Sequence, residues 1–373
     1  SIYIMQRIWK TDYAREAEAL TGMGISEPIS NVTVRVNRAE LAGLTVREVV
    51  EQHDLKAVFG RLKRDEHHEV VSWKTRLWEG DLLTVVGTDK ELERVAAVLG
   101  EQAGEEAEFD RHEVDARRMF VSNPQVAGMR IRDLKLPQQH GAIITRVRRG
   151  DVDLLPRAEM VLELGDRVRV LARRSSLGDV ARFFGDSVRA LSEIDISSWA
   201  LGLALGVALG AVPIPLPGGI IVKLGLAGGP LIVALLLGTL HRSGPFVWSL
   251  PYSANLTLRQ IGLIFFLAGV GTRSGYEFYR TLLSGSGLAL LGAAAVIATT
   301  VGLLTLVIGH KVMKLPMSVV VGLVAAVQTQ PATLAFALEQ TGNELPNVGY
   351  ATVYAASMIS KIVIVQILLA FLL

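Results

Sequence analysis

The stretch 317–338 is predominantly apolar, yet its centre reads Gln328-Thr329-Gln330-Pro331. Proline has no amide hydrogen and its ring clashes with the preceding turn, so a helix through this stretch must break there. The carbonyls and amides it frees would lie near the midplane of a bilayer, where unwound backbone is tolerated only beside protein or a wet cavity. Half-helix ends meeting at that depth can build a solute site.

Charge divides the chain near Asp195. Before that point stand 30 Lys/Arg and 33 Asp/Glu, as on a water-facing surface; after it there are 8 basic and 3 acidic residues. The two parts suit different solvents. With no cysteine in the sequence, disulfides, thiolate metal sites and thiol nucleophiles are excluded. The histidines show no metal-ligand spacing, and His67-His68 fall in a charged turn; no metal is expected. Ile2 to Trp9 is basic, aromatic and interfacial rather than a signal peptide. The opening reads as the continuation of an earlier segment.

The water-facing part repeats itself. Ala42-Gly43-Leu44-Thr45-Val46-Arg47-Glu48-Val49 returns as Ala127-Gly128-Met129-Arg130-Ile131-Arg132-Asp133-Leu134, an offset of 85 that also relates Arg61 to Arg146, Arg64 to Arg149, Gly80-Asp81 to Gly165-Asp166 and Gly100 to Gly185. A gapless repeat means two copies of one small domain. Each copy reads as strand, short helix, alternating strand, Gly-Asp turn, strand and closing helix, a small α/β sandwich. The copies fall at 30–100 and 114–190, with an acidic linker at 101–113 and a further linker at 1–29. Arg146, Arg148, Arg149, Arg167 and Arg169, with Arg173 and Arg174, cluster in the second copy. They form either a solvated face or a site for an anionic ligand such as a nucleotide, whose phosphates guanidinium groups pair bidentately. No Walker loop or strand-linked Gly-x-Gly-x-x-Gly is present, so nucleotide hydrolysis and dinucleotide chemistry have no support, and no cofactor is expected. The pattern resembles the TrkA-C or RCK-C domain of potassium-transport regulators, which implies a ligand-sensing or dimerising role.

The region 197–373 reads as a polytopic helical membrane domain, with apolar segments at 198–212, 229–240, 256–271, 285–308, 317–338 and 350–373. The first two are short and flank Pro213-Ile214-Pro215-Leu216-Pro217-Gly218-Gly219, which predicts a loop or re-entrant segment. Gly202, Gly206 and Gly210 lie four apart, the spacing of a close helix contact. Gly269, Gly271 and Gly275 suggest a kink. Under alternating topology Arg242, Arg259, Lys311 and Lys314 would face the side of the soluble domains, and Lys223, Arg273 and Arg280 the other. A hairpin at 328–331 instead of a crossing would move the C-terminus to the opposite side.

After Asp195 the acids are Glu277, Glu339 and Glu344, all in loops or at helix ends, which disfavours proton or sodium coupling through a membrane carboxylate. Lys361 lies midway along 350–373, with Tyr354, Ser357 and Met358 on its face. A cation there costs about 2.5–3.5 kcal/mol. It either neutralises helix-end carbonyls at the break or meets an anionic substrate. At the break Gln328, Thr329 and Gln330 offer amides and a hydroxyl, Pro331 opens the second half-helix, and the amides near Ala332 and Thr333 carry its positive dipole end. A substrate carboxylate suits that place.

Gly228-Gly229-Pro230-Leu231, Leu237-Gly238, Leu250-Pro251, Asn255-Leu256, Ile261-Gly262-Leu263-Ile264-Phe265-Phe266-Leu267-Ala268-Gly269-Val270-Gly271 and the Gln-Thr-Gln-Pro-Ala break, together with the tandem modules, resemble the aspartate:alanine exchanger family. That resemblance covers essentially the whole chain. It implies a non-enzymatic antiporter of small carboxylates or amino acids in a bacterial inner membrane. Its RCK-C domains would be cytoplasmic, it would form a homodimer, and another membrane half would complete the site. Nothing points to nucleic acid. A ligand-gated channel lacks a Thr-Val-Gly-Tyr-Gly-like filter here; a cation:proton antiporter would need a membrane carboxylate from elsewhere.

Overall fold

The computed structural model describes residues 7, 9, 11–13, 16, 29–65, 67–103, 113–150, 152–190, 195–217, 219–283, 287–343 and 345–372. The stretch from Ile2 to Gln6, Glu344 and most of the linkers at 1–29 and 101–113 fall outside those residues. Two compact bodies form: Ser26–Trp199 with Gly238–Leu258, and Ser1–Ile25 with Ala200–Leu237 and Arg259–Leu373. The segment 238–258 belongs with the modules.

In the first module β1 (Ile29–Val36), β2 (Val58–Arg64), β3 (His67–Val70), β4 (Leu82–Thr88) and β5 (Gly100–Ala103) make one antiparallel sheet in the order β3-β2-β4-β1-β5. Alternation turns Val34 and Val36 inward with Leu83 and Val85. Helices α1 (Val46–His53) and α2 (Asp89–Leu99) supply the rest of the core. The start of α1 is fixed by a capping box in which Thr45 and Glu48 satisfy each other's amides. The acidic linker begins later than its composition suggests, because residues 100–103 pair with β1 as an edge strand.

The second module holds β6 (Val114–Phe120), α3 (Leu136–His140), β7 (Ile143–Arg149), β8 (Val152–Leu154), β9 (Arg167–Arg173) and α4 (Leu177–Phe184), with sheet order β6-β9-β7-β8. Shifted by 85, this is the first sheet without β5. Hydrogen bonds repeat as well: Gly43 to Leu77 and Gly128 to Leu162, Val36 to Asp81 and Val121 to Asp166. Gly80 and Gly165 share a left-handed φ of 91° and 92° that a side chain would resist. The copies part at α1. Pro137 stands where Gln52 sits in α1 and cannot occupy a helix interior, so the second copy makes a 3-10 turn at Ile131–Leu134, a left-handed Lys135, and the short α3 with Pro137 in its first turn.

The helices of the C-terminal region are α5 (Ile196–Ala211), α6 (Gly225–Leu240), α7 (Tyr252–Leu283), α8 (Gly287–Val307), α9 (Met317–Val327), α10 (Pro331–Thr341) and α11 (Leu345–Leu372). Spans Tyr252–Leu283, Gly287–Val312 and Leu345–Leu372 are long and apolar enough to cross a bilayer. Helices α5 and α6 are joined by a two-stranded hairpin of β10 (Ile214–Pro215) and β11 (Ile221–Val222) across the proline-rich stretch. They approach so closely that a Cβ on Gly206 or Gly229 would strike the facing backbone, which is the packing role expected of that glycine spacing. Helix α7 continues through Gly269, Gly271 and Gly275.

Candidate functional site

The chain reverses at the 328–331 break. A Cβ on Gly322 would meet the carbonyl of Pro346, and one on Gly349 that of Val319; each glycine faces the carbonyl three residues before the other. Gly322 and Gly349 therefore lie side by side; Thr329 and Lys361, C-terminal to them on the two helices, also meet, so the helices run parallel and the intervening chain must rise and return. Helix α9 rises, α10 descends, and α11 starts again beside the base of α9. Each half-helix has 11 residues, about 16 Å, roughly half the hydrocarbon thickness of about 30 Å.

The tip closes with a complete Schellman arrangement: the Gln330 amide donates to Ala325 O at 2.9 Å and the Thr329 amide to Ala326 O at 2.9 Å. The left-handed position of that motif is Thr329, φ 52°, a strained place for a β-branched residue. Its Oγ1 donates to Gln328 O at 2.7 Å and accepts from Lys361 Nζ at 3.3 Å. Gln328 Nε2 donates to Ala298 O of α8 at 3.0 Å. Lys361, Thr329 and Gln328 are thereby brought together as the sequence suggests. Helix α10 begins at Pro331 after an extended Gln330 whose side chain does not cap it; the Thr333 amide donates to Gln330 O at 3.1 Å, and the Ala332 amide and the positive end of the helix face the tip.

The other end of the hairpin makes a contrast. Glu16, far away in sequence, accepts from the Met317 and Ser318 amides and the Ser318 hydroxyl, each at 2.8 Å. The base of α9 is thus capped by an internal carboxylate and the start of α10 is not. Trp9 stacks on His310 with centroids 4.9 Å apart and lies 5.1 Å from Lys311 Nζ. Tyr354 and Ser357 share the Lys361 face of α11, and the Tyr354 ring stacks on Tyr350 at 4.7 Å. Beyond Lys361, Ile362 lies 3.2 Å from a Cβ built on Gly228, and Gln366 exchanges hydrogen bonds of 2.9 and 2.7 Å with the Lys223 backbone. One stretch of α11 thus touches the break and the entry to α6. Neither Glu16 nor Gln366 stood out in the sequence. Gln366, an amide within an apolar span, carried a signal of the kind that marked Lys361.

The arginine cluster divides. Arg149 turns away to grip Asp166 through Nε and Nη2, both at 2.8 Å, with Glu163 at 2.7 Å and the Val161 carbonyl at 2.8 Å. Arg64 holds Asp81 identically in the first module. Arg149 is therefore removed from the ligand set. Burial pushes the Glu163 carboxyl above its usual range, against the pull of Arg149. Arg146, Arg148, Arg167 and Arg169 do share one sheet face, joined by Arg118 of β6, which pairs across strands with Arg169. Asp153 is the acid in that hollow, 3.3 Å from Arg146 and 3.9 Å from Arg148. Like charges directly opposite on a sheet destabilise it, so this face favours an anionic ligand.

Paired α/β modules joined to long apolar helices with a re-entrant hairpin define a membrane permease carrying RCK-type domains. Residues 198–370 match the family described as Predicted Permease Membrane Region, Asp-Al_Ex, and residues 116–185 match the TrkA-C domain. Uncharacterized transporters of Geobacter sulfurreducens and Symbiobacterium thermophilum are 56% and 54% identical over 100% of this chain, covering 68% and 69% of their own lengths. One of Corynebacterium diphtheriae is 40% identical over 99% of the chain and 68% of its length. The chain belongs to the aspartate:alanine exchanger family of transporters, with tandem RCK-C domains. The crystal structure of the GsuK RCK domain aligns at 11% identity over 43% of this chain and 64% of that one, with a TM-score of 0.21, too low to argue from.

Proposed function

We propose that the hairpin tip binds the carboxylate of a small organic anion or amino acid, aspartate and alanine among the candidates, in a secondary antiporter. One observation carries the reading: the start of α10, which Gln330 does not cap, and the Lys361 ammonium meet at Thr329, two positive poles with no carboxylate between them among the described residues. An anion there offsets the desolvation of Lys361 and satisfies helix amides together. Gln328 and Gln330 lend amide groups for orientation, and Tyr354 and Ser357 line the approach along α11. A further membrane half completes the chamber, the protein is a homodimer of a bacterial inner membrane, and the modules face the cytoplasm. The Arg118, Arg146, Arg148, Arg167 and Arg169 face takes a regulatory anionic ligand of the nucleotide class.

The test is counterflow in proteoliposomes with a panel of dicarboxylates and amino acids, using the natural full-length polypeptide. Uptake of label only against internal substrate, lost in Lys361→Ala and reduced in Gln330→Ala, supports the reading. Uptake without internal substrate would make the protein a channel or uniporter, and unchanged exchange in Lys361→Ala would move the site elsewhere. For the modules, a radiolabelled nucleotide retained by the wild type and lost in Arg118→Ala/Arg167→Ala is the expected result.

A further inference from the structure

The loop between α6 and α7 is built into the second module. Within it β12 (Arg242–Ser243) and β13 (Phe246–Val247) form a hairpin. Arg242 Nη1 donates to the carbonyls of Pro124, Gln125 and Ala127 at 3.0, 3.0 and 3.3 Å. Val247 is 6% exposed and joins the module's core. The backbone of Pro251 and Tyr252 passes 3.5 Å from a Cβ built on Gly165, and the Tyr252 ring lies 2.9 Å from one built on Gly150. Gly128 likewise has Arg242 against it, 2.9 Å from such a Cβ. The hairpin has therefore occupied the surface formed by the Gly128, Gly150 and Gly165 turns.

The 85-residue repeat carries the same surface into the first module. Gly43 and Gly80 match Gly128 and Gly165 in φ, at 84° against 78° and 91° against 92°. The segments behind them pair through matching hydrogen bonds, Arg47 to Trp73 as Arg132 to Ala158. Here, among the described residues, nothing lies within 4 Å of a Cβ built on Gly43 or Gly80. Ala42 is exposed where Ala127 is buried, and the carbonyls of residues 39, 40 and 42 correspond to those that Arg242 binds. Trp73 and Trp78, which correspond to Ala158 and Glu163, are 51% and 48% exposed on this surface. Half-exposed tryptophans beside glycine turns are what an interface leaves when its partner is removed.

We propose that the Gly43, Trp73, Trp78 and Gly80 surface is the docking site of a second inter-helix hairpin of the same chemistry as 241–252. It would bring a basic residue for the 39–42 carbonyls and an apolar residue to lie between the tryptophans. Its source is polypeptide beyond these 373 residues, since the Geobacter relative is matched over only 68% of its length. Each module then holds one loop of a membrane domain. The 85-residue repeat defines this surface independently of the carboxylate site.

The experiment places a single cysteine at Glu79, which is exposed on this surface, in the natural full-length polypeptide freed of any other cysteine. It is labelled with benzophenone-maleimide in native membranes and irradiated, with Lys74→Cys as a second attachment point should Glu79→Cys misfold. The expected product is an intramolecular cross-link to a peptide outside residues 1–373, containing Lys or Arg and lying between two apolar segments. Trp73→Ser/Trp78→Ser should lower its yield at least fivefold. Cross-links only within residues 1–373, a cross-linked dimer, a lipid adduct or no product would each overturn the assignment.

Discussion

Thr329 holds a left-handed conformation that costs a β-branched residue roughly 1–2 kcal/mol, and it spends its hydroxyl on Lys361 and Gln328. Strain kept at such a point marks function more often than fold. Thr329→Gly should therefore raise thermal stability in detergent by about 1 kcal/mol. It should also lower exchange about tenfold, through loss of a hydrogen bond to a charged group; a variant both more stable and fully active would remove Thr329 from the site. A different residue-scale feature is purely structural. Asp166 is 1% exposed and holds Arg149 in two bonds, as Asp81 holds Arg64. Asp166→Ala removes both charge-assisted bonds to Arg149, leaves it Glu163 alone as acid, and should cost the second module about 2 kcal/mol in urea unfolding; Asp81→Ala, whose Arg64 is more exposed, should cost the first module less. Both arginines were legible as repeat partners. Strand alternation sets Arg149 apart from Arg146 and Arg148, and the Gly-Asp turn receives it.

At the scale of elements, Pro331 made the break legible but not the reversal. Reversal depends on Gly322 meeting Gly349, residues 27 apart whose shared height no local pattern reveals. The α5–α6 contact was legible, because its glycines recur at helical spacing within one segment. Gly269, Gly271 and Gly275 loosen α7 without ending it, at about 1 kcal/mol each relative to alanine. The Gly322 contact is backbone against backbone, so nothing flexible can yield to a larger residue. Gly322→Leu should force α9 from α11, cost about 1–3 kcal/mol or more, and separate Thr329 from Lys361. Trypsin or mild heat in detergent should then release or aggregate the protein well before the wild type. Normal stability would mean that the parallel pairing of α9 and α11 is wrong.

Across the whole soluble body, the two modules are joined by a reciprocal pair that the offset of 85 could not have announced. Arg61 Nη2 donates to Val114 O at 2.6 Å, and Arg146 Nη2 to Ile29 O at 2.6 Å. Residues 61 and 146 correspond, and so do 29 and 114, so the contact maps onto itself when the modules are exchanged. This is the geometry of an isologous dimer made within one chain. The repeat showed two copies and their order, whereas the way they face depends on side chains reaching across more than 50 residues of sequence. Each charged donor on a carbonyl contributes about 2 kcal/mol. Arg61→Ala and Arg146→Ala should therefore each weaken the pairing by a similar amount, and the effects should add if the two ends act independently. In urea the wild-type modules should unfold in one transition and the double variant in two, with Arg148→Ala, on the exposed side of β7, leaving the single transition in place. Two transitions already in the wild type would show that the modules are neighbours without being a cooperative pair, and the symmetry would then be a record of duplication with no energetic role.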